Sequence, residues 1–167
     1  ERGLGYGGGY LWLTADNFST ARVLYKISPT DGSVVGSWSL AAFSFVHAMD
    51  IDYEDGVLYI AASDGTVRLI DADTMAELGS FDLGHILTGV AYASGSLWVH
   101  RIDVGVDELV RVDPDTGVEL ASYSQYGSGG AAVPLGIGSG DGYIVSLVRT
   151  PGSSGAVRLH VIDTDSM

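Results

Sequence analysis

Apolar positions in this chain occur in short strand-like runs and do not follow a helical period. Mostly apolar tetrapeptides, such as YLWL at 10–13 and SLWV at 96–99, come directly after a glycine. A half-exposed strand would alternate between apolar and polar residues, whereas continuous apolar runs are typical of strands covered on both faces. Polar turn stretches such as DPDTG at 113–117 separate these runs from segments of mixed polarity. The pattern predicts an all-β protein with tight turns.

The turn sequence DPDTG is repeated along the chain. Its partners are SPTDG at 28–32, DADTM at 71–75 and DTDSM at 163–167, and each copy follows a β-branched residue. A second landmark recurs independently, because a glycine lies six residues after a fixed position in every unit: Gly3 and Gly9, Asp50 and Gly56, Gly89 and Gly95, Gly136 and Gly142. These positions follow one another at intervals of 47, 39 and 47 residues, which indicates four structural repeats.

Each repeat has room for four short antiparallel strands, the arrangement of a β-propeller blade. We predict a propeller region over residues 1–167 with blades at approximately 1–42, 43–84, 85–127 and 128–167. The last blade lacks its outer strand in this prediction. Three alternatives follow: a part of a larger ring, a four-blade ring with a ragged end, or a half-ring completed by another copy or another chain.

Charge limits the partners that such a fold can take. The formal net charge is −13, from 21 Asp and Glu against 8 Lys and Arg. A surface of this sign repels phosphate backbones and anionic lipids, so we expect neither nucleic-acid binding nor membrane docking. The absence of cysteine excludes disulfide and thiolate chemistry, and no run of about 18 apolar residues is present that would insert into a membrane.

The repeated unit is a small-residue strand, a glycine, L-W-[VL] and then [IV]-D-x-x-T-G. It resembles the blades of the YVTN, quinoprotein-like and streptogramin-lyase-like propeller superfamily, over the whole chain but only in the blade framework. That superfamily includes lyases, cyclases, dehydrogenases, surface-layer proteins and scaffolds, so the resemblance implies a fold without choosing a function. The sequence matches neither a quinone-cofactor signature nor a complete lyase site.

One departure from the repeat is chemically informative. The second blade has Asp50 and Asp52 where the other inner strands have small residues, and strand alternation points both carboxylates the same way. They form a candidate site for Ca²⁺ or Mg²⁺ or an anchor for a polar ligand. The alternative is that they line a wet channel or accept neighbouring backbone N–H groups. Outside this pair we expect no cofactor, and we interpret DPDTG as a turn and not as a calcium loop.

Further candidates lie on the face of the variable loops, where we place any site. The candidate catalytic group consists of His47, His85, His100 and Arg101. The candidate ligand-binding group consists of Phe43, Phe45, Tyr126 and Arg149, and the alternative for these aromatic side chains is that they cover the propeller rim. His160 lies in a strand, where we expect it to pack or to form a hydrogen bond.

Two functions follow from this sequence. The first is a non-catalytic scaffold or interaction module located extracellularly, in the periplasm or at the cell surface. Its partner would be another protein, further blades of the same protein, or a second copy bound through open blade edges. The rival is a lyase-like or hydrolase-like enzyme with an axial site around His47, Asp50, Asp52 and His85, which a divalent cation would assist.

Overall fold

The structure, a computed structural model, describes residues 3–16, 22–41, 48–103, 106–124, 133–140, 142–149 and 157–164. Within these ranges the chain forms 15 antiparallel strands. The first sheet contains β1 (Gly3–Gly7), β2 (Tyr10–Asp16), β3 (Arg22–Ile27) and β4 (Val34–Ser39). The second contains β5 (Ala48–Glu54), β6 (Val57–Ala62), β7 (Thr66–Asp71) and β8 (Glu77–Asp82). The third contains β9 (Ile86–Ala93), β10 (Ser96–Asp103), β11 (Val106–Val112) and β12 (Glu119–Ser124). The fourth contains β13 (Val133–Gly140), β14 (Tyr143–Arg149) and β15 (Val157–Asp163).

Strands follow one another in sequence order within every sheet, and among the described residues each strand pairs only with its chain neighbours. The four sheets are arranged as four blades of a β-propeller, so the predicted fold is confirmed. The fourth sheet has three strands among the described residues, as the repeat predicted. The residue at which one blade passes into the next stays a prediction.

Two kinds of turn join the strands, and both use left-handed backbone. The turns from β5 to β6 and from β9 to β10 place two successive residues at positive φ, Asp55 with Gly56 and Ser94 with Gly95. This geometry matches the twist of antiparallel strands, and glycine adopts it without strain. Between the third and fourth strands, the Asp71 and Asp113 carboxylates accept backbone N–H groups two and three residues later, which makes these carboxylates turn caps.

Successive blades pack face to face. We call the face that contacts the next blade along the chain the leading face, and the face that contacts the preceding blade the trailing face. Trp12 on the leading face of the first blade stacks on Tyr53 on the trailing face of the second, with ring centroids 6.3 Å apart. Tyr59 stacks on Tyr92 in the same way at the next junction, at 5.8 Å. The hydrophobic core therefore lies between blades, as the apolar middle strands predicted.

Inner strands pack in order around the axis, β1 against β5, β5 against β9 and β9 against β13. Within the described part of the chain, β13 and β1 have no comparable packing, so the first and fourth blades do not form a junction like the other three. No helix among the described residues is long and apolar enough to cross a membrane.

Candidate functional site

An axial cavity of about 630 Å³ is lined by the inner strands of all four blades. It lies at the end of these strands that carries the short turns, next to Ser94 and Gly95 of the third blade and Gly142 of the fourth. Its polar lining includes Asp52 and Ser139. The predicted site face, at the opposite end, consists largely of loops outside the described residues, so that placement stays a prediction.

Asp50 lies between the second and third blades and is only 8% exposed. Its Oδ1 accepts a hydrogen bond from the Ile51 N–H at 2.9 Å, and its Oδ2 accepts one from the Val90 N–H at 3.1 Å. The Val90 bond crosses from β5 to β9, two strands that share no sheet. The Asp50 carboxylate therefore joins two neighbouring blades at the axis.

Asp52 repeats this arrangement two residues later. Its Oδ1 accepts from the Tyr53 N–H at 2.8 Å, and its Oδ2 accepts from the Tyr92 N–H at 2.7 Å and from the Ser139 hydroxyl at 3.2 Å. Ser139 lies on β13, so Asp52 links the second blade to both the third and the fourth. Of the two alternatives to a ligand site, both carboxylates show acceptance of backbone N–H groups, and Asp52 in addition lines the axial cavity.

A physical reason explains why carboxylates suit this place. An inner strand is bonded to a partner on one side only, and about half of its N–H groups point away from that partner toward the axis, where they need an acceptor. At the first junction Gly3 and Gly5 let the backbones touch, since a Cβ added to Gly3 would lie 2.4 Å from the Asp50 Cα. At the second junction the side chains of Asp50 and Asp52 supply acceptors to β9.

Burial changes the acidity of this pair. Loss of hydration raises the pKa of Asp50 to about 7, against backbone hydrogen bonds that lower it, and the neighbouring Asp52 charge raises it further. Burial also raises the pKa of Asp52. Glu54, at the cavity wall, has a pKa raised by burial and by the charges of Asp55 and Asp52. Asp50 is therefore partly protonated at neutral pH.

His100 lies between the third and fourth blades, away from the cavity lining. Its Nε2 lies 2.9 Å from the Ser146 hydroxyl of β14, and the two residues are 2% and 0% exposed. Gly89 makes room for this group, since a Cβ there would lie 3.5 Å from His100 Nδ1 and 3.4 Å from Asp50 Oδ2. Asp50, His100 and Ser146 thus form a buried polar zone that crosses three blades.

The other described candidates do not line the axial cavity. Arg101 binds Glu108 Oε2 through Nε at 2.9 Å and Glu119 Oε2 through Nη1 at 2.7 Å, so it ties together the strands of its own blade. Arg149 is exposed at the end of β14. The backbone of His85 lies against Gly65 in the preceding blade. A role for these residues around an anionic ligand stays a prediction.

His160 is half-buried on β15, opposite Ser146, which agrees with the packing or hydrogen-bonding role expected of it. His47, Phe43, Phe45 and Tyr126 lie outside the described residues, so the structure does not relate them to the axis. In the described ranges, no group of three or more His, Cys, Asp or Glu side chains is placed to hold a metal ion. A cation at Asp50 and Asp52 stays a prediction.

Sequence reasoning missed two features of this region. Ser146, the partner of His100, occupies an apolar middle strand and gave no signal of its own. The tyrosines Tyr6, Tyr53 and Tyr92 each come three residues before the repeat glycine, and this shared position would have revealed them as equivalent residues of the axis.

No protein-family model matches the chain, and no curated protein matches it. Several solved structures are similar to it. Glutaminyl cyclase from Myxococcus xanthus has 17% identity and a TM-score of 0.67, over 96% of this chain and 73% of that one. Hydrazine synthase from Kuenenia stuttgartiensis is similar at 15% identity and TM-score 0.69 over 98% of this chain and 46% of that one. The computationally designed Ika4 protein is similar at 17% identity and TM-score 0.59 over 96% and 90% of the two chains. At these identities the likeness shows the propeller fold alone.

Proposed function

We propose that this chain is a non-catalytic β-propeller module that serves as a structural or interaction platform within a larger protein or assembly. The observation that carries the proposal is that Asp50 and Asp52, the most distinctive axial residues, accept backbone N–H groups across the blade junction. Their oxygens hold blades together. We also propose a place within the YVTN-like propellers and a location outside the cytoplasm, both from the repeat resemblance.

The buried polar groups are not accessible to a substrate, which argues against catalysis by them. A general acid or base must come within hydrogen-bond distance of its substrate. Ser146 and His100 face each other inside a blade junction at 0% and 2% exposure, and both oxygens of Asp50 already accept protein N–H groups. A buried polar zone of this kind stabilises one arrangement of the blades.

One observation favours the rival, an axial lyase-like or hydrolase-like enzyme. Carboxylates with strongly raised pKa values are concentrated at functional sites, and the pKa of Asp50 is raised to about 7. The neighbouring cavity would admit a small ligand or a cation beside Asp52. The two functions differ in what the carboxylates bind.

Calorimetric titration with Ca²⁺ and with Mg²⁺ separates the two functions. For the scaffold we expect no saturable binding to the wild-type chain, and we expect Asp52→Ala to lower the free energy of unfolding by about 1–3 kcal/mol because two N–H groups and one hydroxyl lose their acceptor. Asp73→Asn, an exposed carboxylate whose side chain lies in no blade junction, is the charge-matched control. A saturable cation affinity that disappears in Asp50→Ala and Asp52→Ala, with Asp73→Asn unaffected, would favour the rival over the scaffold.

A further inference from the structure

The leading face of the fourth blade is open and largely apolar, with the charged residues Asp163 and Arg149 at its two ends. Six apolar side chains project from β14 and β15 on this side, all of them exposed: Tyr143, Val145, Leu147, Val157, Leu159 and Val161. The opposite face of the same strands, with Ile144 and Val148, is buried against the third blade. Six exposed apolar side chains on one face of a chain with a net charge of −13 indicate an interaction surface.

Equivalent residues of the other blades show what such a face binds. Leu159 occupies the third-strand position held by Leu24, Val67 and Leu109 in the first three blades, according to the strand registers. Those three residues are 0% exposed because the next blade covers them, whereas Leu159 is 62% exposed. The face therefore has the position and the apolar character of a blade junction, and its natural partner is the trailing face of another blade.

An open trailing face exists on the first blade of the same chain. Leu4 occupies the inner-strand position of Ile51 and Val90, which are 1% and 2% exposed, yet Leu4 is 60% exposed. Tyr6 occupies the position of Tyr53 and is also exposed. The described side chains of β1, β2 and β3 on this side are uncharged: Leu4, Tyr6, Leu11, Leu13, Ala15, Val23, Tyr25 and Ile27.

We propose that the leading face of the fourth blade binds the trailing face of the first blade in a second copy of this chain. Each copy carries both halves of a junction, so two copies related by half a turn about the propeller axis form two identical junctions and close one eight-blade ring. Eight blades lie within the range that propellers adopt. Closure of a single chain on itself would instead require β13 to pack on β1, and the described residues of these two strands do not pack as the other inner strands do.

Two of the three internal junctions indicate which side chains meet. Val145 occupies the position of Trp12 and Tyr59, and these two residues stack on Tyr53 and Tyr92 of the following blade. The corresponding contact in the proposed ring joins Val145 to Tyr6 of the second copy. Val145→Trp restores the aromatic residue at this position and should strengthen the association.

This inference rests on the proposed function, since it names the partner of the interaction module. Size-exclusion chromatography with light-scattering detection at about 100 µM protein should give a mass twice the 17.4 kDa of one chain. Leu159→Glu and Tyr6→Lys should each weaken the dimer at least about tenfold. Leu78→Glu is the matched control, because Leu78 is 56% exposed on the outer strand β8, outside the two faces, and should leave the mass unchanged.

Mixing distinguishes the proposed pairing from general apolar association. Val145→Glu and Tyr6→Lys each place a charge in both junctions of a homodimer, whereas their mixture forms one wild-type junction and one Glu–Lys junction. The mixture should therefore dimerise more strongly than either variant alone. Circular dichroism and urea unfolding of each variant test whether the chain is still folded, so that loss of the dimer can be assigned to loss of the contact.

A wild-type monomer, an open-ended series of oligomers, or a dimer that survives Leu159→Glu would each overturn the ring. These outcomes are separable from a failure of the proposed function. A cation affinity that depends on Asp50 and Asp52 would overturn the proposed function whatever the mass, and a monomer without such an affinity would overturn only the ring.

Discussion

Asp50 combines the two opposing effects that govern buried carboxylates. Its hydrogen bonds to the Ile51 and Val90 N–H groups favour the ionised form, while loss of hydration favours the neutral form and is the larger effect. The cost of keeping this charge buried is offset by N–H groups of β9 that would otherwise lack an acceptor. Asp50 therefore makes the stability of the propeller depend on pH.

The sign of that dependence follows from the two pKa values. Folded Asp50 holds its proton up to about pH 7, whereas an ordinary Asp loses it near 3.8, so the folded state binds more protons between these values. The free energy of unfolding should fall as pH rises from about 4 to about 7, by at most about 4 kcal/mol through this residue. Asp50→Asn should remove this component of the slope.

Urea unfolding of the wild type and Asp50→Asn between pH 4.5 and 7.5 measures the difference. Turn carboxylates such as Asp71 have pKa values lowered by the hydrogen bonds they accept from Thr74, so they act in the opposite direction and at lower pH. Asp73→Asn should run parallel to the wild type. If the free energy of unfolding of Asp50→Asn also changed with pH as that of the wild type does, Asp50 would not titrate in this range.

At the scale of elements, the turn between the third and fourth strands also makes an inter-blade contact. Its fifth residue is left-handed in three copies, as Gly32, Met75 and Gly117, so the conformation persists even where a side chain strains it. Gly117 additionally lies against Phe81 of the preceding blade, and a Cβ there would be 2.5 Å from the Phe81 Cβ. A turn of one blade thus fits against the outer strand of another.

Two alanine substitutions separate the strain of the left-handed backbone from the contact with Phe81. Gly32 and Gly117 have nearly equal φ angles of 73° and 72°, but no atom lies within 4 Å of a Cβ added to Gly32. Gly32→Ala should cost about 1 kcal/mol for the left-handed backbone, and Gly117→Ala about 1–3 kcal/mol more for the overlap with Phe81. Equal losses in urea unfolding would mean that the Phe81 contact contributes nothing.

At the scale of the whole molecule, stability should depend on assembly. Leu4 and Leu159 remain in water while their equivalents in the other blades are buried, so the isolated chain lacks one junction of apolar burial. If two copies supply it, raising protein concentration a hundredfold should raise the melting temperature by about 2–8 °C. Melting followed by circular dichroism at about 1 µM and about 100 µM measures this shift. A wild-type melting temperature that does not change with protein concentration would contradict this prediction. The melting temperature of Leu159→Glu should not depend on protein concentration.

The strand order and the turns could be predicted from sequence because their causes are local and occur four times. Glycine at Gly56 and Gly95 and the capping Asp at Asp71 and Asp113 act on their own backbone, so each copy of the repeat supports the assignment of the others. The same alignment showed that Asp50 and Asp52 depart from the small residues of the other inner strands. Sequence alone thus determined the fold and the residues that needed an explanation.

Tertiary structure decided what those residues do. Asp50 and Asp52 meet the Val90 and Tyr92 N–H groups 40 residues away, and His100 meets Ser146 across a junction, which depends on how closely blades pack and not on any local preference. The open faces at Leu4 and Leu159 depend on it too, since a strand sequence states that a face is apolar but not whether another blade covers it. Local chemistry specifies each blade, and only the packing of blades against one another determines which surfaces are left to bind.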